Sequence, residues 1–441
     1  MKHAQTSKRK AESGQAVIIA VLFFLSGSFL VITGVAAPVL REVRDIRAIA
    51  DSKQSYLTAE AVMEDAVYRL KYNLDLSSPE TLTIGESTGT IAYTIDFGTR
   101  TIEAVGDNHG LIRKIGVALS EGIGVSFFYG VQSDADGILM ENTSSILGNV
   151  YSNGYVDGSG NNVIDGDAVS AGPSGFMDGV VVKGDAYAHG ITNADITGNA
   201  YYQTIDAQTD VGGSACPNVQ CYPGSADQEP ATLPIKDEWV ASWEAAAEAG
   251  GVVDESNGCS GGKYTISSPA SIGPVKILCD FEISGNIAVD IEGVVWVVGD
   301  ISIRLNPTIR TSPALGAKSV LIIADDPANR ETKSKIDISN SIFVQHGVEG
   351  SHLLFLSMNE SAENGGTVPA ITVRNSATGD FLVYAGHGEI LLQNNVSLSE
   401  VTGYRIHTQN RAQVVYETGL QSLLFDSGPS GGYVIDSWGE E

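Results

Sequence analysis

Positive charge is scarce in this chain: 26 Lys and Arg stand against 53 Asp and Glu, a formal net charge of −27 over 441 residues. That imbalance argues against nucleic acid and anionic lipid surfaces as partners and favours solubility and mutual repulsion. The acids are dispersed, so they read as a solvated face and not as a disordered acidic tail. Catalytic signatures are also missing. There is no His-Glu-x-x-His, no Gly-rich phosphate loop and no Gly-x-Ser-x-Gly elbow. His109, His189, His346, His352, His387 and His407 are scattered, and no spacing unites them; His387, in Gly386-His387-Gly388, reads as a strand-end turn. The obvious carboxylate pair is Asp165 with Asp167, since residues two apart on a strand share a face. No aromatic platform or arginine cluster accompanies it, and a fold alone confers no activity. The expectation is no enzyme, no cofactor and no catalytic or metal residue.

Cysteine is scarce too. Cys216, Cys221, Cys259 and Cys279 allow three connectivities. Local pairing, Cys216 with Cys221 and Cys259 with Cys279, is favoured because each bond closes a short loop outside a reducing compartment. Free structural thiols rank next. Zinc ranks last, because Cys-x4-Cys without histidines is poor ligand spacing. Calcium is a further candidate near Asp157: Asp157-Gly-Ser-Gly-Asn-Asn-Val-Ile-Asp165 starts like an EF-hand loop. Asn162 stands where that loop needs glycine and Ala168 where it needs glutamate, so a long inter-coil turn is the better reading.

Charge is missing altogether from Ala16 to Leu40. At about 1.5 Å per residue this run is long enough for a hydrocarbon core of about 30 Å. It is too long for the apolar region of a signal peptide, roughly 7–15 residues, and reads as a retained transmembrane helix over 15–40. Lys2, Lys8, Arg9 and Lys10 precede it, which places the amino end inside by the positive-inside rule. Arg41, Arg44 and Arg47 on the other flank weaken that bias. From 41 to 78 the pattern becomes amphipathic: Val43, Ile46, Ala50, Leu57, Ala61, Met63, Val67, Leu70 and Leu74 form an apolar stripe among charged positions. One helix leaving the bilayer and laying that stripe on a soluble domain is the simplest reading, with Pro38 a site for a kink and Ser77-Ser78-Pro79 its end.

A short basic leader, a glycine, an apolar helix starting at once and an amphipathic continuation resemble a type IV prepilin. Ser55-Tyr-Leu-Thr-Ala-Glu-Ala-Val-Met-Glu-Asp-Ala-Val-Tyr-Arg-Leu70 is similar to the "AEA" stretch of the PilX N-terminal family of pilus assembly proteins. The resemblance covers the first 75 residues. It implies that a prepilin peptidase cuts after Gly14 and that Gln15 begins the mature chain. The family's usual glutamate at the fifth mature position is Ile19 here, which moves the expectation toward a minor pilin-like component.

The body carries a weak repeat. Ile146-Leu-Gly148-Asn-Val150, Ile164-Asp-Gly166-Asp-Ala168, Val182-Lys-Gly184-Asp-Ala186 and Ile196-Thr-Gly198-Asn-Ala200 have glycines 18, 18 and 14 residues apart. Fifty glycines without a triplet period mean turns, not collagen. Recurrence of a β-branched residue, Gly-Asp/Asn and a small apolar residue marks a coiled parallel β-structure stacking every ~4.8 Å; a β-sandwich with Gly-Asp turns is the alternative. Ala168, Ala186 and Ala200 are expected to point inward. Further strands such as Val294–Val298, Val320–Ala324, Leu353–Ser357 and Phe381–Ala385 read as a second set of coils. Between the sets, Asp237-Glu238 opens a helix with Trp239, Val240 and Trp243 on its apolar side, and Gly250-Gly251 ends it.

The fold class expected is mainly β: an N-terminal transmembrane and amphipathic α-helix, a small antiparallel sheet, then a parallel β-helix (solenoid) with a helical insert. The divisions are a basic leader at 1–14, transmembrane helix 15–40, amphipathic helix 41–78, small sheet 79–125, first solenoid part 126–215, disulfide loop and helical insert 216–258, and second solenoid part 259–441. The functional expectation is a single-pass inner-membrane protein with its bulk outside, a minor pilin-like or pilus-assembly component making structural or adhesive contacts. Its partners would be the membrane, other pilins and surface glycans, with no nucleic acid. A membrane-tethered polysaccharide-binding or polysaccharide-cleaving β-helix is the alternative, and a bactofilin-like scaffold the second, although the cysteines conflict with a cytoplasmic place.

Overall fold

The computed structural model describes residues 9–71, 79–96, 99–122, 125–423, 425–427 and 432–440. It divides into two compact units, Met1–Ser120 with Val434–Glu441, and Glu121–Tyr433.

In the first unit a single helix, α1, runs from Arg9 to Lys71 through Pro38. Its 63 residues make it about 95 Å long. The run from Ala16 is long and apolar enough to cross a membrane, and none of that window is buried. Further along, α1 docks on a sheet made of β1 (Glu80–Ile84), β2 (Ser87–Asp96), β3 (Thr99–Asn108) and β4 (Leu111–Gly122). These strands pair antiparallel in sequence order. The chain's last strand, Gly432–Glu440, is the fifth member, beside β4. It therefore leaves the solenoid assigned to 259–441 and returns to the small sheet.

The docked face of α1 overlaps the expected stripe at Met63 and departs from it upstream. Ser55, Thr58, Ala59, Val62, Met63 and Ala66 are buried, whereas Val43, Ile46 and Leu57 are exposed, as are Ala50 and Ala61. Val67 is half-buried. The Leu70 side chain, Leu74 and Ser77-Ser78 lie outside what is described. The reason is proximity: a Cβ on Gly106 would overlap the Ser55 carbonyl, and one on Gly89 would meet Val62. So close an approach of helix and sheet selects small side chains at Ser55, Thr58 and Ala59, while Val43, Ile46 and Leu57 turn away. Polar ties reinforce the contact, with Ser55 Oγ donating to Leu111 O (2.5 Å) and Arg113 Nε to Ser52 Oγ (2.8 Å).

The second unit is the solenoid. Each coil lays down three short strands in turn, for example Val131–Ser133, Ile138–Glu141 and Ser145–Leu147. Each strand pairs parallel with its counterpart in the next coil, Val150–Ser152, Val156–Ser159 and Val163–Ile164. Inside, Val150, Ala168, Ala186 and Ala200 stack in register and are buried. The other half stacks bulkier residues in the same column: Val401, Val383, Phe355, Ile322 and Val295. The Gly-Asp repeat has a physical cause at the corner between coils. Asn149 Oδ1 accepts from Asp167 N, Asp167 Oδ1 from Asp185 N, and Asp185 Oδ1 from Asn199 N, at 3.0, 2.8 and 2.7 Å. The glycine before each acid is needed because a Cβ at Gly184 would strike the backbone of Gly166-Asp167.

The coils are not stacked in chain order. The chain enters mid-solenoid at Val131 and builds outward to Cys221–Pro223. It then crosses to the opposite end, at Lys263–Ile266 and Ala270–Ile272, and builds back. Its last coil closes on the first: Val401–Gly403 pairs with Val131–Ser133, Ile406–Thr408 with Ile138–Met140, and Gln413–Val415 with Ser145–Leu147. The two solenoid parts thus share one hydrophobic core across this seam. Asparagines at positive φ spell the same order, each donating to the next through its side-chain amide: Asn142 to Asn410, Asn410 to Asn394, Asn394 to Asn375 and Asn375 to Asn340, all at 3.1–3.2 Å.

Candidate functional site

The segment that crosses from one end to the other is a strap over the outer face of the first strand of each coil. It can be followed by its bonds. Asp227 meets His189 Nδ1 (3.1 Å), Gln228 O accepts from Gly172 N (2.8 Å), and Glu229 O accepts from the Tyr151 hydroxyl. Ala231 exchanges bonds of 2.8 Å with the Asn153 side chain, Thr232 O accepts from Gln132 Nε2 (3.0 Å), and Ile235 O accepts from the Tyr384 hydroxyl (2.7 Å). The strap ends in helix α2, Asp237–Gly250, which buries Val240, Trp243 and Ala247. Beneath them lie Trp296, Leu321, Ile323, Leu354 and Leu356, a second core separate from the solenoid interior.

Where strap and coils meet, a cavity of about 390 Å³ opens, with Asp134, Asn153, Asp237, Glu363 and His387 facing it beside the apolar Leu233 and Ile235 of the strap. His387 does not sit in a strand-end turn. It stands inside the 13-residue strand Phe381–Gln393, whose pairing jumps from Ala385↔Gly403 to Glu389↔Arg405. Gly386-His387-Gly388 bulges out over that jump, and bulges re-aim side chains in this way. The imidazole is held on both sides, Nδ1 to Glu363 Oε2 at 2.6 Å and Nε2 to Asp237 Oδ1 at 3.0 Å. Burial pulls its pKa down, but the two carboxylates outweigh it and the net shift is upward. An imidazolium with a carboxylate on each nitrogen is a proton-holding tie between α2 and the loop that carries Glu363. The same loop offers Gly366 O to Arg405 (3.3 Å), whose guanidinium also holds Glu389 and Asp136.

Beyond the strap the outer column becomes aromatic and open. Tyr187 and Tyr201 stack at 4.5 Å and 2°, and Tyr201 and Tyr222 at 4.7 Å and 12°. Tyr222, the last ring, is 43% exposed. Burial, then Asp185, pushes the Tyr187 hydroxyl up to about 12. The sequence reading missed this row, although its signal was present: a tyrosine stands two residues after Asn149, Asp185 and Asn199 in the repeat already recognised, as Tyr151, Tyr187 and Tyr201.

The residues singled out from sequence fall in separate places. Gly14 and Gln15 lie within α1. Cys216–Cys221 and Cys259–Cys279 are paired, with Cα–Cα distances of 6.1 and 6.3 Å, one at each end of the solenoid. Asp165 pairs with Lys183 (2.5 Å), while Asp167 is spent on the corner ladder, so the two do not converge on a common point. Asp157 lies in the strand Val156–Ser159 in register with Asp178, and burial, then Asp178, raises its pKa. Among the described residues no group of three or more His, Cys, Asp or Glu is placed to hold a metal ion.

No protein-family model matches the sequence, the PilX N-terminal one included, and no curated protein matches it. Among solved structures, the competence-associated pilin ComZ from Thermus thermophilus aligns over 89% of this chain and 97% of its own, at 10% identity and a TM-score of 0.24. So low a score does not amount to a shared fold.

Proposed function

We propose that this chain is a membrane-anchored, pilin-like surface protein whose work is structural or adhesive: α1 anchors it, and an acidic β-solenoid is displayed outside. The observation that carries the reading is the division of labour along one helix. Among the described residues none of its apolar window from Ala16 is buried, whereas Ser55, Thr58, Ala59, Val62, Met63 and Ala66 are buried on the small sheet. An uncovered apolar run of this length needs a lipid or protein environment. Support for an exported body comes from two disulfides, which persist outside reducing compartments, and from the net charge of −27. On this reading Gly14 and Gln15 flank the processing site. Membrane fractionation with mass spectrometry of the amino terminus tests it. A membrane-bound chain starting at Gln15 is expected; a detergent-independent chain that retains Met1 in the cytosol overturns it.

A second reading, contact with surface glycans, is favoured by the open tyrosine row, since tyrosine combines an apolar ring with a hydrogen-bonding rim. Replacing Tyr201 and Tyr222 with Ala is then expected to weaken retention on polysaccharide at least tenfold while the solenoid melts within a few degrees of the parent. Equal retention by parent and variant in affinity electrophoresis removes this reading.

A further inference from the structure

The anchoring role makes no use of the apolar sheet face that α2 covers. Trp243 is fully buried there, its indole Nε1 donating to Ser427 O at 2.6 Å, and Val240 and Ala247 flank it. Were the strap to lift, Trp296, Leu321, Ile323, Leu354 and Leu356 would be bared together. Two proton-bearing side chains brace the covering helix from opposite sides of Trp243. At its first residue, Asp237 grips His387, which Glu363 holds from the loop side and Asp134 faces across the cavity. Toward its other end, Glu244 lies beside Asp325, a fully buried carboxylate forked by Arg330 at 2.8 and 2.7 Å. Lys276 also faces this group, and it binds Glu248 on the same helix at 3.3 Å.

We propose that α2 is a proton-dependent clip, closed over the sheet in acid and neutral solution and opened as Glu244 and His387 lose their protons, baring the apolar face beneath.

Both groups act with the same sign. Burial first, then Asp325, raises Glu244 to about 8, against the opposing pull of Arg330 and Lys276. Its Oε1 is buried and accepts no hydrogen bond, so burial and the neighbouring Asp325 outweigh the pull of Arg330 and Lys276 and disfavour a charge there. Lifted into water, Glu244 titrates near the ordinary 4.5. Its contribution to closure is therefore complete below that value and lost as pH rises to about 8. For His387 the closed-state shift is also upward, so its contribution is complete below the ordinary 6.5 and lost above it. Each group changes the opening constant by up to about tenfold per pH unit inside its window. Between pH 6.5 and 8 Glu244 alone supplies roughly a fifteenfold rise, since its slope flattens as pH approaches the closed-state value.

Hydrogen exchange on the full chain in detergent micelles, corrected for the intrinsic rate, reads this directly. Protection of the α2 amides is expected to fall more than tenfold between pH 6.5 and 8, while Val131–Ser133 keeps its protection. Glu244→Gln, neutral at every pH, is expected to remove most of the slope, and adding His387→Gln to remove the remainder. If the double variant folds poorly, Glu244→Gln alone still decides. Protection of α2 that does not change with pH, or that falls in step with the solenoid strands, overturns the proposal. So does a slope that Glu244→Gln leaves undiminished.

Discussion

Gly184 and Asp185 do different work at the same corner. A Cβ on Gly184 would run into the Asp167 carboxylate and, just behind it, the backbone of Gly166-Asp167, which cannot yield. Gly184→Ala is therefore expected to cost about 2–4 kcal/mol, as overpacking against backbone does. Asp185→Ala removes an acceptor for Asn199 N and Nδ2 and is expected to cost less, about 1–2 kcal/mol. Melting of the two variants by circular dichroism ranks them; the reverse order would mean that the corner is held by the ladder and not by close approach. Glu400 makes a separate, pH-dependent case. It is fully buried on the seam coil, Thr402 Oγ1 donates to its Oε1, and its Oε2 has no partner. Burial holds its carboxyl well above the ordinary glutamate value, against the pull of the Thr402 bond. The proton is kept in the folded state and lost in the unfolded one, so stability falls by up to about 1.4 kcal/mol per pH unit as pH rises above that ordinary value. Glu400→Gln is expected to flatten this part of the profile in urea melts at pH 5 and pH 8, leaving the variant the more stable at pH 8. Of these roles, only the Gly-Asp corner was legible in the sequence. Local repetition reveals a contact made once per coil, but Glu400 looks like any strand glutamate until the segment that buries it is in place. His387 was similarly opaque, because its partners stand 24 and 150 residues away along the chain.

At the scale of elements, α1 and α2 were legible from apolar runs, charge and glycine stops, but the packed face of α1 was not. Hydrophobic spacing selects the large residues, whereas the sheet approaches through Gly89 and Gly106 and the buried face is built mainly on Ser55, Thr58, Ala59, Val62 and Ala66, with Met63 from the expected stripe buried among them. The terminal coils pose a different physical problem, since each has a neighbour on one side only and leaves a ladder edge open. The disulfides sit at these two ends: Cys216–Cys221 spans the turn before the last strand Cys221–Pro223, and Cys259–Cys279 ties the turn beside Lys263–Ile266 to the next coil. The sequence separations are 5 and 20, so loop-closure entropy gives about 2 kcal/mol for the first and about 3 kcal/mol for the second. Serine pairs at Cys259 and Cys279 are therefore expected to destabilise more than serine pairs at Cys216 and Cys221. In both cases hydrogen exchange should show fraying confined to the affected end. Loss of protection at the seam strands instead would mean that the bonds stabilise the solenoid globally.

At the scale of the whole molecule, the chain's order and the order of coils disagree, and this was the least legible feature. Every coil has the same strand pattern, so sequence specifies what stacks but not which coil stacks on which. Only the long strap, which returns past coil after coil, lets Val401–Gly403 find Val131–Ser133. The solenoid unit is also an insertion, because the first unit's sheet takes its fifth strand from Gly432–Glu440. It follows that cutting the strap once should not divide the solenoid. The two parts meet at the seam through three parallel strand pairings and a common apolar core. A protease site placed at Ser225-Ala226, ahead of the strap's bonds to Gly172, Tyr151 and Asn153, would sever residues up to 224 from the rest. After cleavage without denaturant, the two fragments are expected to migrate together on size exclusion and to keep their far-ultraviolet β signal, separating only in urea. Fragments that part at once in native buffer would show that the strap, and not the seam, joins the halves. The bulky outer residues Leu321, Ile323, Leu354 and Leu356 beneath α2 would then have to supply the continuity here assigned to the inner column.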